Sequence, residues 1–306
     1  MYRHRPGRPL HPAMNPDSAA SSLQGRTVLL TGASAGIGLA AARQLARLGA
    51  HLVLLCRDAD RGEQARAAVQ LAAPHAPRPE LLLGDLSVQA EVHRLCDELL
   101  ARYPRLDVLI NNAGVLPDQL HRTPDGHELC WATNHLAPFI LTNRLLPLLM
   151  AAGPGARVIT VASEAHRLGE IEANAAARAD PGRSSAFTAY CDSKLANVLF
   201  TKALAERLEL TGITAHCLHP GVVRSNLWSH SSQLVRLLML LALPFARSSE
   251  KAAETIVQLA TLPQPQKANG QYFKNGRAVS VSNRAENRSE MHRLWRISAE
   301  ETGIAE

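Results

Sequence analysis

The sequence contains few of the residues that define several large classes of protein. Its 306 residues include only 4% aromatic side chains and 5 cysteines, which are never spaced as C-x-x-C. Scattered thiols favour a reducing compartment and provide neither a disulfide framework nor a zinc knuckle, so we expect no metal site. Few aromatics and dispersed arginines argue against the basic, aromatic stripe that binds single-stranded nucleic acid, so we expect no nucleic-acid partner.

Long hydrophobic runs are also missing. The longest, residues 237–243, is far too short to cross a bilayer. Residues 1–24 lack the apolar core of a signal peptide and predict a flexible basic tail, within which Met14 could be the true start. The 46% apolar and 20% charged residues suit a globular chain. We therefore expect a cytoplasmic protein whose residues 25–306 fold as one domain.

A glycine-rich turn follows the first apolar segment, residues 28–30, and leads into helical spacing. The turn contains the first candidate cofactor-binding residues: Gly32, Ser34, Gly36, Ile37 and Gly38. A strand that turns tightly into a helix leaves backbone N–H groups at the helix N-terminus, which favour a phosphate or pyrophosphate. Glycine is needed because a Cβ would block the turn and the approach of a dinucleotide. The net charge of +6 agrees with an anionic ligand.

The same turn also fits G-x-S-x-G, the pattern that places a nucleophilic serine in hydrolases, with Ser34 as the nucleophile. That pattern requires a later acid and histidine and an oxyanion loop ahead of the serine. Ser34 comes directly after the first strand, which is too early for such an arrangement. The hydrolase alternative is therefore the weaker one.

Apolar strands and amphipathic helices alternate along most of the chain. This order predicts an α/β fold, a Rossmann-type doubly wound parallel sheet of about seven strands with helices on both faces. Ligands of such sheets bind beyond the carboxyl ends of the strands. Further candidate cofactor-binding residues follow predicted strands directly: Asp85, Leu86, Asn112, Ala113 and Gly114.

Arg57 follows the second predicted strand, where a dinucleotide fold places the residue that contacts the adenosine ribose. An acidic residue there would accept a hydrogen bond from a free 2′-hydroxyl, whereas Arg57 would pair with a 2′-phosphate. The sequence therefore favours NADP(H) over NAD(H), although Asp58 follows directly and weakens this interpretation.

In combination with the glycine turn, Asn111–Gly114, Ser163 and Tyr190-x3-Lys194 resemble the short-chain dehydrogenase/reductase family. Asn134-His135-Leu136 and the run from Lys194 to Phe200 are similar to its retinol dehydrogenase-like branch. The resemblance implies an NADP-dependent oxidoreductase that acts on CH–OH groups and interconverts a lipophilic alcohol and its aldehyde or ketone. A non-catalytic NADP-binding regulator of the same fold is the alternative. Such a protein would be expected to have lost Tyr190 or Lys194.

The resemblance also implies roles for individual residues. Asn134, Ser163, Tyr190 and Lys194 would form the catalytic set, with Tyr190 as general acid/base. Asp85 would contact the adenine, Asn112 to Gly114 would support the cofactor, and Pro220 and Gly221 would flank the nicotinamide. Tyr190 and Lys194 would also contact the cofactor. The family commonly assembles through the helices that carry Asn134 and Tyr190, so a homo-oligomer is expected.

The spacing of Tyr190 and Lys194 places both on one helix face. A free tyrosine has a pKa of about 10, and we expect the Lys194 ammonium to lower it toward neutrality. Pro138 lies four residues after Asn134 and lacks an N–H. We therefore expect a kink at Asn134, in a helix over about 127–149, and a free Asn134 carbonyl.

Two segments are expected to cover the site. Residues 164–189 predict a loop above it, and residues 222–248 predict a substrate lid. The leucines of 234–243 could form an apolar wall for a long substrate, and residues 234–245 could contact a membrane surface. An ordinary core helix is an equal alternative for this stretch.

Overall fold

A computed structural model describes residues 22–221 and 247–305 of the chain. Nearly all of the predicted tail and of the predicted lid lie outside these residues. The apolar stretch 234–245, proposed as a membrane contact, also lies outside them.

The described part contains eight strands in one sheet of order β3-β2-β1-β4-β5-β6-β7-β8, parallel except for β8. The strands are β1 Thr27–Thr31, β2 His51–Cys56, β3 Glu80–Leu83, β4 Val108–Asn111, β5 Arg157–Val161, β6 Thr214–His219, β7 Tyr272–Lys274 and β8 Arg277–Val279. Strand β1 pairs with both β2 and β4, with Leu29 opposite Val53 and Leu109. The strand order therefore reverses at β1, which is where a doubly wound sheet opens a crevice for ligands.

Helices cover both faces of this sheet. They are α1 Gly36–Arg47, α2 Ala59–Ala72, α3 Gln89–Arg102, α4 Leu129–Trp131, α5 Ala137–Arg144, α6 Leu146–Ala152, α7 Ala175–Arg178, α8 Ala186–Arg207, α9 Ser249–Ala260 and α10 Arg288–Thr302. Successive residues of β1 point to opposite faces, so Val28 and Leu30 belong to one apolar core and Leu29 to the other. Helices α1, α2 and α9 close the first core, and α3, α5, α8 and α10 close the second. The predicted doubly wound fold is confirmed.

The eighth strand was not predicted. Asn275 and Gly276 join β7 to β8, and both have positive φ, +56° and +73°. Two consecutive positive φ values define the tight turn that Asn-Gly favours in a two-residue hairpin. The signal was therefore present in the sequence, but a three-residue strand of mostly exposed side chains is hard to recognise.

The single helix predicted over about 127–149 is divided. A π-helical turn over Ala132–Leu136 lies between α4 and α5, so Asn134 lies in a widened turn directly ahead of Pro138. The bend of 54° falls farther along, between Arg144 and Leu146. Among the residues described, no single helix is long and apolar enough to span a membrane. Only the bent pair Leu129–Arg144 and Leu146–Ala152, taken together, has the length and composition of a membrane span.

Candidate active site

Most of the predicted site residues lie along one edge of the sheet, because they follow the carboxyl ends of its parallel strands. The glycine turn follows β1, Arg57 follows β2, and Asp85 follows β3. Residues 112–114 follow β4, Ser163 follows β5, and residues 220–221 follow β6. Tyr190 and Lys194 reach this edge from α8. The structure therefore places the predicted set at one mouth.

The glycine turn is tightly built. Gly32 and Gly36 have φ values of +67° and +54°, which side chains rarely adopt. A Cβ on Gly38 would lie 2.2 Å from the Gly32 carbonyl oxygen and 2.6 Å from Asn112 Nδ2. Ala35 occupies the N-cap position of α1, and within the described residues no side chain there accepts a hydrogen bond from the first amides of the helix. The first amides of α1 are thus left for another acceptor, and they fit the pyrophosphate of a dinucleotide.

A threonine that was not among the predicted site residues ties this turn to the neighbouring strand. Thr31 Oγ1 accepts hydrogen bonds from the amides of Asn112 and Ala113, at 3.0 and 2.9 Å. Asn112 Nδ2 donates in return to the carbonyls of Thr31 and Gly32, at 2.8 and 3.2 Å. The turn after β1 and the loop after β4 therefore form one rigid floor. A polar residue at the end of an apolar strand is the signal that could have found Thr31.

Two residues of opposite charge, Arg57 and Asp58, follow β2 and differ in their contacts. Asp58 caps α2 by accepting a hydrogen bond from the Arg61 amide at 2.8 Å. Arg57 is exposed, and it makes no ion pair within the described ranges. One oxygen of the carboxylate that weakened the NADP interpretation thus caps α2, and the Arg57 guanidinium beside it is available for an anion.

Asp85 and Leu86 lie at the end of β3. Asp85 Oδ1 accepts from both the amide and the hydroxyl of Ser87, each at 2.8 Å. Asp85 is half-buried and Leu86 is buried. These bonds fix the loop beside the mouth and leave the other carboxylate oxygen of Asp85 as an acceptor.

Tyr190, Lys194 and Ser163 come together where α8 crosses the end of β5. Tyr190 and Lys194 are each 4% exposed. Lys194 Nζ donates to the Val161 carbonyl at 3.0 Å and lies 5.5 Å from the centre of the Tyr190 ring. Ser163 begins a short 3₁₀ helix and accepts from the Ala165 amide at 3.2 Å. The Ser163 side chain also hydrogen-bonds Tyr190. Tyr190 therefore lies beside both Ser163 and Lys194, two of the other predicted catalytic residues.

The electrostatics of this group differ from the expectation. Burial raises the pKa of Tyr190 well above its usual value, and the hydrogen bond with Ser163 lowers it by less. Burial also lowers the pKa of Lys194 to about 8. The predicted lowering of the Tyr190 pKa is wrong in direction for this arrangement, because burial disfavours the phenolate and raises the pKa. The raised pKa keeps the Tyr190 hydroxyl protonated at neutral pH.

Asn134, the fourth predicted catalytic residue, is fully buried. Its Oδ1 accepts from the Val115 amide at 2.7 Å, and its Nδ2 donates to the Val115 carbonyl and to Ser193 Oγ, each at 3.0 Å. A Cβ on Gly114 would lie 3.3 Å from Asn134 Oδ1 and 3.4 Å from Lys194 Nζ. The Asn134 side chain thus fastens the loop after β4 to α8. Ser193, a hydroxyl inside an apolar helix, was not predicted.

The segment between Ser163 and α8 is more ordered than the predicted loop. It contains a 3₁₀ helix over Glu164–Leu168 and the short helix α7. His166 is buried, with one ring nitrogen 2.7 Å from the Ser163 carbonyl oxygen. Glu170 N donates to Asp192 Oδ1 at 2.7 Å. The segment is therefore fastened to the sheet and to α8.

Pro220 and Gly221 complete the edge. Gly221 has a φ of +94°, and a Cβ there would lie 3.1 Å from Arg247 Cδ. In residues 22–221 and 247–305, no group of three or more His, Cys, Asp or Glu side chains could hold a metal ion. All five cysteines are free and buried.

Comparison with known proteins agrees with this geometry. The sequence model of the short chain dehydrogenase family matches residues 26–235. Human retinol dehydrogenase 12 is 40% identical over 282 residues, which cover 92% of this chain and 88% of that protein. Human retinol dehydrogenase 14 is 38% identical over 92% of this chain and 88% of its own length. A crystal structure of an uncharacterized protein from Mycobacterium paratuberculosis superposes with a TM-score of 0.74 at 32% identity, covering 92% and 95% of the two chains.

The fold and the site define a dinucleotide-binding oxidoreductase. The chain belongs to the short-chain dehydrogenase/reductase family, in its retinol dehydrogenase-like branch. The hydrolase alternative built on Ser34 has no support, because the match to the short chain dehydrogenase family covers the turn that contains Ser34.

Proposed function

We propose that the protein is an NADP(H)-dependent oxidoreductase that interconverts a lipophilic alcohol and its aldehyde or ketone. The observation that carries the proposal is the meeting of Tyr190, Ser163 and Lys194 at the edge of the sheet that also bears the glycine turn. When bound, a nicotinamide cofactor supplies or accepts the hydride.

The protein's own residues handle the proton. The buried Tyr190 hydroxyl keeps its proton at neutral pH, so it can give that proton to a carbonyl oxygen as negative charge develops there. Ser163 lies within hydrogen-bond reach of the same hydroxyl and can donate to the same oxygen. In the reverse direction, the Tyr190 oxygen takes the alcohol proton.

The preference for NADP(H) rests on Arg57. Its exposed guanidinium stands at the end of β2 without a carboxylate partner in the described structure, since Asp58 is used by α2. A charge-assisted bond from this guanidinium to a 2′-phosphate would favour NADP(H).

A lipophilic substrate fits the surroundings of Tyr190. Leu116, Cys130 and Ala189 form a small apolar cluster with its ring, and Val115 and Leu120 pack against that cluster. Human retinol dehydrogenase 12 bears the name of a lipophilic alcohol. A retinoid or an aliphatic aldehyde is therefore the substrate class of first choice, and a homo-oligomer remains part of the proposal.

Oxidation of NADPH and of NADH should be measured with retinal, nonanal and a simple aromatic aldehyde. The wild-type protein should prefer NADPH, and Arg57→Ser should reduce that preference about tenfold or more. Asp58→Ala is the matched control, because it should lower stability but keep the preference. Tight NADPH binding without turnover of any carbonyl or alcohol would instead support the non-catalytic alternative. An unchanged preference in Arg57→Ser would refute the role of that residue.

A further inference from the structure

A buried polar cluster joins the C-terminal helix to the rim of the site. Glu301 of α10 forms an ion pair with Arg178 of α7, and their side chains are 13% and 3% exposed. The other oxygen of Glu301 accepts from Trp131 Nε1 at 2.7 Å, from a residue 170 positions earlier in the chain. The Arg178 guanidinium lies 4.2 Å above the Trp131 ring. One carboxylate therefore holds two parts of the chain that are distant in sequence.

Arg178 belongs to the segment between Ser163 and α8, residues 164–185, called here the rim segment. Arg178 Nη1 donates to the Glu172 carbonyl within that segment. The segment is also held at other points, among them the bond from Glu170 N to Asp192 of α8 and the bond from Arg293 of α10 to the Ile171 carbonyl. The ion pair with Glu301 is the contact that holds the Arg178 side chain itself, in the middle of the rim segment.

Trp131 belongs to the other wall of the site. Its neighbour Cys130 packs in the apolar cluster with Tyr190 and Leu116, and Cys130 Sγ contacts the Val115 carbonyl at 3.4 Å. Glu128 begins this turn by accepting from the Trp131 amide at 2.8 Å. A carboxylate that fixes the Trp131 indole therefore fixes the turn that presents Cys130 to Tyr190.

The charges of both Glu301 and Arg178 are needed to keep this cluster stable. Arg178 also acts electrostatically on two buried carboxylates, Glu128 and Asp192, on the helices that flank the site. Removing the Arg178 side chain would leave three acids in a poorly solvated region. Removing only the charge of Glu301 is the milder change, because a glutamine can still accept from Trp131.

We propose that Glu301 is a positioning residue that, through Arg178 and Trp131, holds the rim segment and α4 against α8 and so shapes the apolar wall beside Tyr190. Its effect on substrate binding rests on the proposed function. Its effect on the rim segment does not.

The test compares Glu301→Gln with Glu300→Gln, which removes the same charge from an exposed neighbour on the same helix. Arg178 and Ala179 are buried, so trypsin can cleave between them only when the rim segment opens. Cleavage at this bond of the folded protein should be about tenfold faster in Glu301→Gln than in wild type. The KM for the carbonyl should rise about tenfold, while kcat and the Kd for NADPH change less than about twofold. Glu300→Gln should match wild type in every measurement.

Unchanged cleavage in Glu301→Gln would overturn the proposal. So would a parallel loss of kcat, KM and cofactor affinity, which would indicate a general structural role. If the wild-type protein reduces no carbonyl, the proposed function fails and cleavage alone decides the role of Glu301. Should Glu301→Gln fold poorly, Arg178→Lys keeps the charge and the tryptic site but loses the guanidinium above Trp131. It should also be cleaved faster, and wild-type protection in it would refute the proposal.

Discussion

Gly38→Ala tests how the glycine turn is built. In an ordinary helix this change stabilises the protein by about 0.5–1 kcal/mol. At Gly38, however, the new Cβ would lie 2.2 Å from the Gly32 carbonyl oxygen and 2.6 Å from Asn112 Nδ2. Both groups belong to the rigid floor tied by Thr31, so neither can move without breaking hydrogen bonds. Overpacking of this kind costs about 1–3 kcal/mol, and we expect a net loss of about 2 kcal/mol.

The assay is thermal unfolding combined with NADPH titration. A loss of about 2 kcal/mol should lower Tm by about 5 °C, and NADPH should bind about tenfold more weakly or worse. Gly62→Ala is the matched control, since Gly62 also lies in a helix but the close contact of its Cβ would be with the end of the Leu81 side chain, at 2.8 Å, and Cys56 Cβ would lie at an ordinary 3.4 Å. That side chain can rotate, so the control should change stability by less than about 1 kcal/mol. Wild-type Tm and NADPH affinity in Gly38→Ala would refute the reasoning.

Two further predictions concern Lys194 and the β7–β8 hairpin. Burial lowers the pKa of Lys194 to about 8 from 10.5, so the unfolded chain binds more protons than the folded one between these values. Denaturant unfolding should therefore show wild-type stability rising relative to Lys194→Met from pH 8 to 10.5, and a constant difference would contradict the shift. Asn275 has a φ of +56°, so Asn275→Ala should destabilise the protein by about 1 kcal/mol in the same assay. Asn275→Gly should be neutral there, and equal stability of the two variants would count against the turn.

The sequence was most informative where structure is local. The glycine turn, the residues after each strand and the i,i+4 pair of Tyr190 and Lys194 depend on neighbours a few positions away. Parallel strands bring their carboxyl ends to one edge, so a correct fold class predicted a common site. Arg57 and Asp58 are a limit of this approach, because only the structure shows that α2 uses the acid.

The features of the site that could not be predicted from the sequence depend on contacts between residues distant in the chain. Nothing in the local pattern relates Glu301 to Trp131, and nothing around Ser193 predicts its bond to Asn134. The pKa of Tyr190 was predicted in the wrong direction because spacing identifies a nearby charge but does not measure burial. The π-helical turn at Asn134 is a further example, since Pro138 predicts only that the regular hydrogen-bond pattern must change there.

The most direct test of the proposed chemistry compares Tyr190→Phe with Tyr103→Phe, which removes a hydroxyl at the end of α3. NADPH oxidation by retinal or nonanal is followed at the absorbance band of the reduced nicotinamide. Tyr190→Phe should lose about 10²–10⁴-fold in rate while still binding NADPH, because the proton donor is gone and the glycine turn is intact. Tyr103→Phe should keep the wild-type rate. A Tyr190→Phe protein that oxidises NADPH as fast as wild type would contradict the assignment of Tyr190 as the acid.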